Sequence, residues 1–176
     1  FFSPNAPLSV TQSPGGRQWF NPYPNGVHFM DAGQKEKEIM KQECLNSLNL
    51  LKDYINELCS QYHLDYQDCF IIGFSQGAML AFDFGKYLNQ SFAGCVMLSG
   101  RILSSKKMEN SFFVKTPLMV VHGDQDEIIQ PHYFFQTCHI VKKAGFVFEE
   151  QLIKNEGHIV SIKILKLIQN FIKKNI

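Results

Sequence analysis

The sequence predicts an α/β protein built on a mostly parallel sheet flanked by helices, and three features predict it. Short apolar runs at residues 69–73, 94–100 and 118–123, with a fourth, mixed run at 146–153, punctuate the later part of the chain. Stretches of helical character separate them, and alternation of strand with helix is the pattern of a parallel sheet with crossover helices. The first three runs are apolar throughout rather than at every second position, so helices are expected on both faces of the sheet.

Residues 1–32 hold five of the seven prolines and read as loop after a short strand at the very start. From residue 35 to 62 the apolar positions Cys44, Leu48, Leu51, Ile55, Leu58 and Tyr62 step by 4, 3, 4, 3 and 4, which is one face of a helix. Residues 63–66 form a polar break. The run Cys69-Phe70-Ile71-Ile72-Gly73 suits a strand buried on both faces, and residues 76–88 contain good helix formers and no proline. Two further buried strands follow at 94–100 and 118–123, the latter introduced by Pro117. A helix over 132–143 is stopped by Gly145, a fourth strand spans 146–153, and an amphipathic helix over 160–172 carries Val160, Ile164, Ile168 and Phe171 on one side.

A length of 176 residues predicts a single domain spanning residues 1–176, with 45% apolar residues to fill its core. Seventeen basic and sixteen acidic side chains leave a formal charge of +1, and the like-charge clusters are only pairs such as Lys106-Lys107, Lys142-Lys143 and Lys173-Lys174. Such a surface builds no field for a polyanion, so nucleic acid is not an expected partner. No run of eighteen apolar residues suggests a transmembrane segment. The five cysteines, Cys44, Cys59, Cys69, Cys95 and Cys138, are odd in number, and no two stand at metal-ligand or CxxC spacing. Free thiols in a reducing, cytoplasmic setting are the expectation.

The chemistry is concentrated in Gly73-Phe74-Ser75-Gln76-Gly77. Serine is a weak nucleophile at its free pKa and must be presented to a base without obstruction. A G-x-S-x-G turn between strand and helix does so, because the flanking glycines let the chain pass close without Cβ clashes. The backbone N–H of Gln76 is then placed to stabilise a developing oxyanion. An apolar strand leads into this turn and a helix leads out, as the motif requires; without them it would be an ordinary glycine-rich connection.

An acid and a base are expected after the serine, in that order. Asp124 and Asp126 both lie just beyond the third buried strand in His122-Gly123-Asp124-Gln125-Asp126, and Asp124 could hold the turn through a backbone bond. Among the histidines, His122 ends a strand and suits a packing role. His132 and His139 fall on a helix, and His28 and His63 in loop or helix-end positions. Only His158, in Glu156-Gly157-His158 after the fourth strand, has both the order and the placement of a base. Ser75, Asp126 and His158 thus form the expected catalytic set, all at the carboxyl ends of strands. No histidine spacing suggests a metal, no phosphate loop is present, and no cofactor is expected. The Phe112-Phe113 and Phe134-Phe135 pairs read as core.

With these residues in place, the chain resembles the phospholipase/carboxylesterase family of α/β-hydrolases, which includes the acyl-protein thioesterases. Gly73-Phe74-Ser75-Gln76-Gly77-Ala78 is similar to its GFSQGG signature, and His122-Gly123-Asp124-Gln125-Asp126 to its HGxxD segment, whose second acid is catalytic. Gly157-His158 stands where the family has its histidine. Pro4-Asn5-Ala6-Pro7 and Arg17-Gln18-Trp19-Phe20 look like its P-x-A-P and R-x-W-[FY] stretches. Glu127-Ile128-Ile129-Gln130-Pro131 departs mildly from the proline-containing segment usual after HGxxD.

The resemblance implies cleavage of small esters, lysophospholipids or acyl-thioesters through an acyl-serine intermediate. By analogy, it places Trp19 near an acyl pocket. It also implies further strands before residue 1, one ending in an HGxGD-like loop that supplies another oxyanion donor. The chain is therefore expected to be an N-terminally truncated α/β-hydrolase, a fragment or one piece of a split protein, poorly soluble and weakly active alone. The alternative from a different class is a non-catalytic remnant or binding module of the same fold. Peptidase activity is a further alternative, for which no residue provides an amine leaving-group site. Oligomeric state is not legible.

Overall fold

The structure, a computed structural model, describes residues 1–11, 13–29, 31–104 and 112–176. The Lys106-Lys107 pair and the side chain of Phe112 lie outside the described residues. The chain divides into two compact units, Phe1–Ile55 and Asn56–Ile176.

In the first unit, β1 (Leu8–Ser9) pairs antiparallel with β2 (Arg17–Gln18), Leu8 opposite Gln18 and Ser9 opposite Arg17. These strands fall inside the segment read as loop, and two residues each are too few for a period-2 pattern to show. The strand expected at the very start does not form: residues 1–6 have no ladder partner among the described residues.

The helix α1 (Gln34–Tyr62) begins in this unit. Ser47 Oγ donates to the Trp19 carbonyl, and the Asn21 N–H donates to Glu43 at 2.7 Å, so these bonds tie the proline-rich segment to the helix. The predicted apolar stripe is helical but unevenly covered. Cys44 and Leu48 are buried, Leu51, Ile55 and Leu58 are half-buried, and Tyr62 is exposed.

The second unit contains a four-stranded parallel sheet in the order β3 (Phe70–Phe74), β4 (Gly94–Leu98), β5 (Leu118–Gly123), β6 (Phe148–Ile153). Between these strands run α2 (Gln76–Leu88) and α3 (His132–Ala144), and α4 (Ile162–Lys174) closes the chain. Val96, Leu98, Met119, Val121 and Ile153 pack with Ile164, Ile168 and Phe171, so α4 covers one face of the sheet. Strand alternation sends Cys95, Met97, Leu118 and Val120, all fully buried, to the other face. There α2 packs on β3 and β4, and α3 on β5 and β6. Phe82, Phe113 and Phe146 form a mutual ring cluster whose centroids lie 5.3–5.8 Å apart.

The ends of the elements have local causes. Gly145 is left-handed at φ 87°, and its N–H and that of Phe146 return to the Lys142 and Val141 carbonyls, closing α3. That closure uses Phe146, so β6 starts at Phe148 rather than at residue 146. Ser161 caps α4 by accepting the Ile164 N–H, a bond worth about 1 kcal/mol, and α4 therefore starts two residues later than its apolar pattern.

One expectation fails for a physical reason. β3 was predicted to be buried on both faces, but Phe70, Ile71 and Ile72 are half-buried and Phe74 is exposed, while every residue of β4 is buried. Among the described residues β3 is hydrogen-bonded only to β4, which leaves its other side uncovered there.

Candidate active site

β3, β5 and β6 run parallel, so Ser75, Asp126 and His158, each just beyond one of them, follow the same edge of the sheet. Ser75 is the residue between β3 and α2, with φ 54° and ψ −119°. A positive φ on a non-glycine residue costs about 1–3 kcal/mol and persists only where the surroundings impose it. Backbone bonds impose it here. The Ser75 N–H donates to the Leu98 carbonyl at 2.8 Å, and the Ser75 carbonyl accepts from Ala78 at 3.0 Å. A Cβ on Gly73 would stand 2.2 Å from the Gly77 carbonyl oxygen, which accounts for the first glycine of the motif. Gln76 opens α2, where first-turn N–H groups lie outside the helix's own ladder and favour negative charge.

Asp126 is 2% exposed, and its carboxylate is saturated. Oδ1 accepts the N–H groups of Ile128 at 3.0 Å and Ile129 at 2.8 Å. Oδ2 accepts His158 Nδ1–H at 2.8 Å and lies 3.4 Å from His122 Nε2. Burial alone would push this carboxyl up. The His158 bond, the Ile129 N–H and the two histidines outweigh it and hold Asp126 below its usual value. With its proton on Nδ1, the neutral His158 ring keeps Nε2 as an acceptor. The ring also lies against Phe74, the residue before Ser75, with centroids 4.7 Å apart.

The loops after β5 and β6 are joined so that this pair can form. The Gln125 N–H donates to the Glu156 carbonyl at 2.9 Å, and Asp124 accepts the Asn155 N–H at 2.7 Å. A Cβ on Gly123 would meet the Glu156 carbonyl oxygen at 2.2 Å, so only glycine lets the His158 loop approach. Asp124 therefore joins the two loops, and Asp126 meets the imidazole.

His122 is buried, and its Nε2–H donates to the Ile129 carbonyl at 2.6 Å. Burial drives its pKa below the usual imidazole value, against the opposing pull of that carbonyl and of Asp126. Of the other histidines, His132 and His139 are exposed on α3, His63 is the left-handed residue after α1, and His28 packs between Tyr23 and Phe29. Phe134 is buried but its neighbour Phe135 is 59% exposed, so only half of that aromatic pair is core.

The structure thus joins Asp126 to His158 directly and brings His158 to the serine turn through Phe74. No hydrogen bond joins Ser75 Oγ to the imidazole among the described contacts. Sequence reading did not foresee Phe74 as the surface for His158, nor the Ile128 and Ile129 N–H groups as partners of Asp126. An aspartate followed by open chain two and three residues on was the available signal for the latter. Among the described residues, no cluster of three or more potential ligands could hold a metal ion, and no helix is long and apolar enough to cross a membrane.

Comparison with known proteins fits this geometry. The model of the phospholipase/carboxylesterase family matches residues 1–176. Acyl-protein thioesterase 1 homolog 1 of Dictyostelium discoideum is 27% identical over 181 residues, covering all of this chain and 76% of the relative. Acyl-protein thioesterase 1 of Saccharomyces cerevisiae is 29% identical over 191 residues, covering all of this chain and 78% of the relative. Two solved structures share the fold. Esterase PE8 has a TM-score of 0.84 at 22% identity, covering 98% of this chain and 77% of that one. SOBER1 of Arabidopsis thaliana has a TM-score of 0.77 at 23% identity, covering 98% of this chain and 81% of that one. The α/β class expected from the sequence is therefore that of the α/β-hydrolases, and the chain belongs to the phospholipase/carboxylesterase family.

Proposed function

We propose that this protein is a serine hydrolase that cleaves carboxylic esters or thioesters through an acyl-Ser75 intermediate. The observation that carries the reading is the His158 Nδ1–H bond to buried Asp126 at 2.8 Å, on a ring that rests against the residue preceding Ser75. His158 Nε2 takes the Ser75 Oγ proton as Oγ attacks the acyl carbonyl, and the Gln76 N–H stabilises the oxyanion. The imidazolium then protonates the leaving alcohol or thiol. Water, activated by the same nitrogen, releases the acid and regenerates Ser75. Asp126 stays ionised throughout, fixes the tautomer and stabilises the imidazolium. No cofactor enters any step.

Small esters and acyl-thioesters are the substrate classes that the carboxylesterase and thioesterase names of the relatives support, and the family resemblance adds lysophospholipids. Five free cysteines support a reducing, cytoplasmic setting. The test is to mix the protein with an activated aryl ester and with an S-acyl peptide, quench early and map the adduct. An acyl group on Ser75 with either substrate supports the reading. Turnover without any covalent adduct, in a variant whose deacylation is slowed, would refute the acyl-serine route.

A further inference from the structure

Cys59 and Cys69 are ten residues apart in sequence, a spacing that carries no motif, yet their sulfurs lie 3.8 Å apart. We propose that they form a dithiol site that peroxide oxidises to an intramolecular disulfide, joining the last turn of α1 to the start of β3.

The segment between them is held at both ends and in the middle. His63 takes the left-handed conformation after α1, and the Leu64 N–H returns to the Cys59 carbonyl at 2.9 Å, fixing the backbone of the first cysteine. Asp65 and Asp68 bond reciprocally through a short 3-10 turn, with Asp65 N–H to Asp68 Oδ2 at 2.8 Å. Tyr66 donates its hydroxyl proton to Asn56 and packs its ring on Phe92. The Cys69 N–H donates to the Tyr66 carbonyl at 3.1 Å, and its own carbonyl accepts the Ala93 N–H at 3.0 Å. Two sulfurs presented by so constrained a backbone need move together by less than 2 Å to reach bonding distance, about 2.05 Å.

The other thiols offer no competing route. Cys44, Cys95 and Cys138 are buried, whereas Cys59 and Cys69 are half-exposed. Burial and the neighbouring Cys59 sulfur push Cys69 up to about 12, and its S–H also reaches the Asp65 carbonyl at 3.4 Å. That bond holds the Cys69 S–H, and Cys69 serves as the second thiol. Cys59 gives up its proton and attacks one oxygen of hydrogen peroxide, the O–O bond breaks, the departing hydroxide takes up that proton as water, and Cys59 becomes a sulfenic acid. Cys69 then attacks the Cys59 sulfur, the S–O bond breaks, its proton leaves with the hydroxyl as a second water, and the S–S bond forms. Two thiols lose two protons and two electrons to one peroxide.

The test treats the intact folded protein with hydrogen peroxide, blocks remaining thiols, and digests it without reductant. The expected result is one cross-linked peptide pair containing Cys59 and Cys69, lighter by two hydrogens, with a melting temperature raised by about 5 °C and restored by dithiothreitol. In Cys69→Ser the peptide pair and the shift should vanish and Cys59 should trap as sulfenic acid. Should that variant fold poorly, Cys59→Ser must likewise abolish the shift. Independent oxidation of either cysteine to sulfinic acid in the folded wild type, with no bridged peptide, would overturn the proposal. So would bridging that appears only after denaturation.

Discussion

The two halves of the candidate site are positioned by different means. Ser75 is held almost entirely by main chain: a positive φ, a ladder bond to Leu98 and glycines that permit close passage of α2. Asp126 and His158 are held by side-chain bonds, which also anchor Ile128, Ile129 and His122. The difference teaches that the Ser75 side chain can be removed without touching what holds its turn. Asp126 cannot be removed without taking a partner from the Ile128 and Ile129 N–H groups and from His158 Nδ1–H.

The largest effect expected is that of Ser75→Ala, a loss of about 10^4–10^6 in kcat with the melting temperature nearly unchanged. Next comes the acid. Asp126→Asn should cost about 10^4 in kcat through loss of the imidazole tautomer and imidazolium stabilisation. Asp126→Ala should also destabilise the fold by about 1–3 kcal/mol, through loss of the charge-assisted bonds to the Ile128 and Ile129 N–H groups. Asp124→Ala, which removes only the Asn155 contact, should leave kcat within several-fold of wild type. Equal losses at 124 and 126 would reverse the assignment of the acid.

Gly123→Ala tests the joined loops. Its Cβ meets the Glu156 and Gly157 carbonyl oxygens, which are backbone and cannot swing aside. Displacing His158 by about 1 Å should reduce kcat about 10^2-fold and lower the melting temperature, while Ser75 keeps its turn.

The smallest effect is one of pH. His122 has its folded pKa lowered, so the unfolded chain takes up a proton first as pH falls below about 6.5, and stability declines with acidification. Asp126 is also lowered; its contribution is present above about 3.9 and is lost as pH falls through its folded value. Both signs agree. Urea midpoints should therefore drop between pH 7.5 and 5.5 in wild type and less so in His122→Gln. An unchanged slope in that variant would remove His122 from the account.

Much of this was legible in the sequence. Apolar runs at 94–100 and 118–123 became the two fully buried strands, because continuous hydrophobicity reports burial on both faces. The same kind of run at 69–73 became β3, which is only half-buried among the described residues, since composition reports what a strand can bury and not what lies beside it. The G-x-S-x-G turn marked the strained residue because its first glycine, Gly73, is imposed by close backbone contacts with Gly77 and Ala78. Phe74 beneath His158 and the approach of Cys59 to Cys69 were illegible for a common reason. Each is a contact between segments with no local periodicity linking them, and only the tertiary arrangement creates it.

The most direct test of the central claim is labelling of the folded protein with a fluorophosphonate, which reacts preferentially with a serine activated by a base. The account predicts a single adduct on Ser75, absent in Ser75→Ala and formed far more slowly in Asp126→Asn. A folded protein that takes no label, or takes it at a residue other than Ser75, would contradict it.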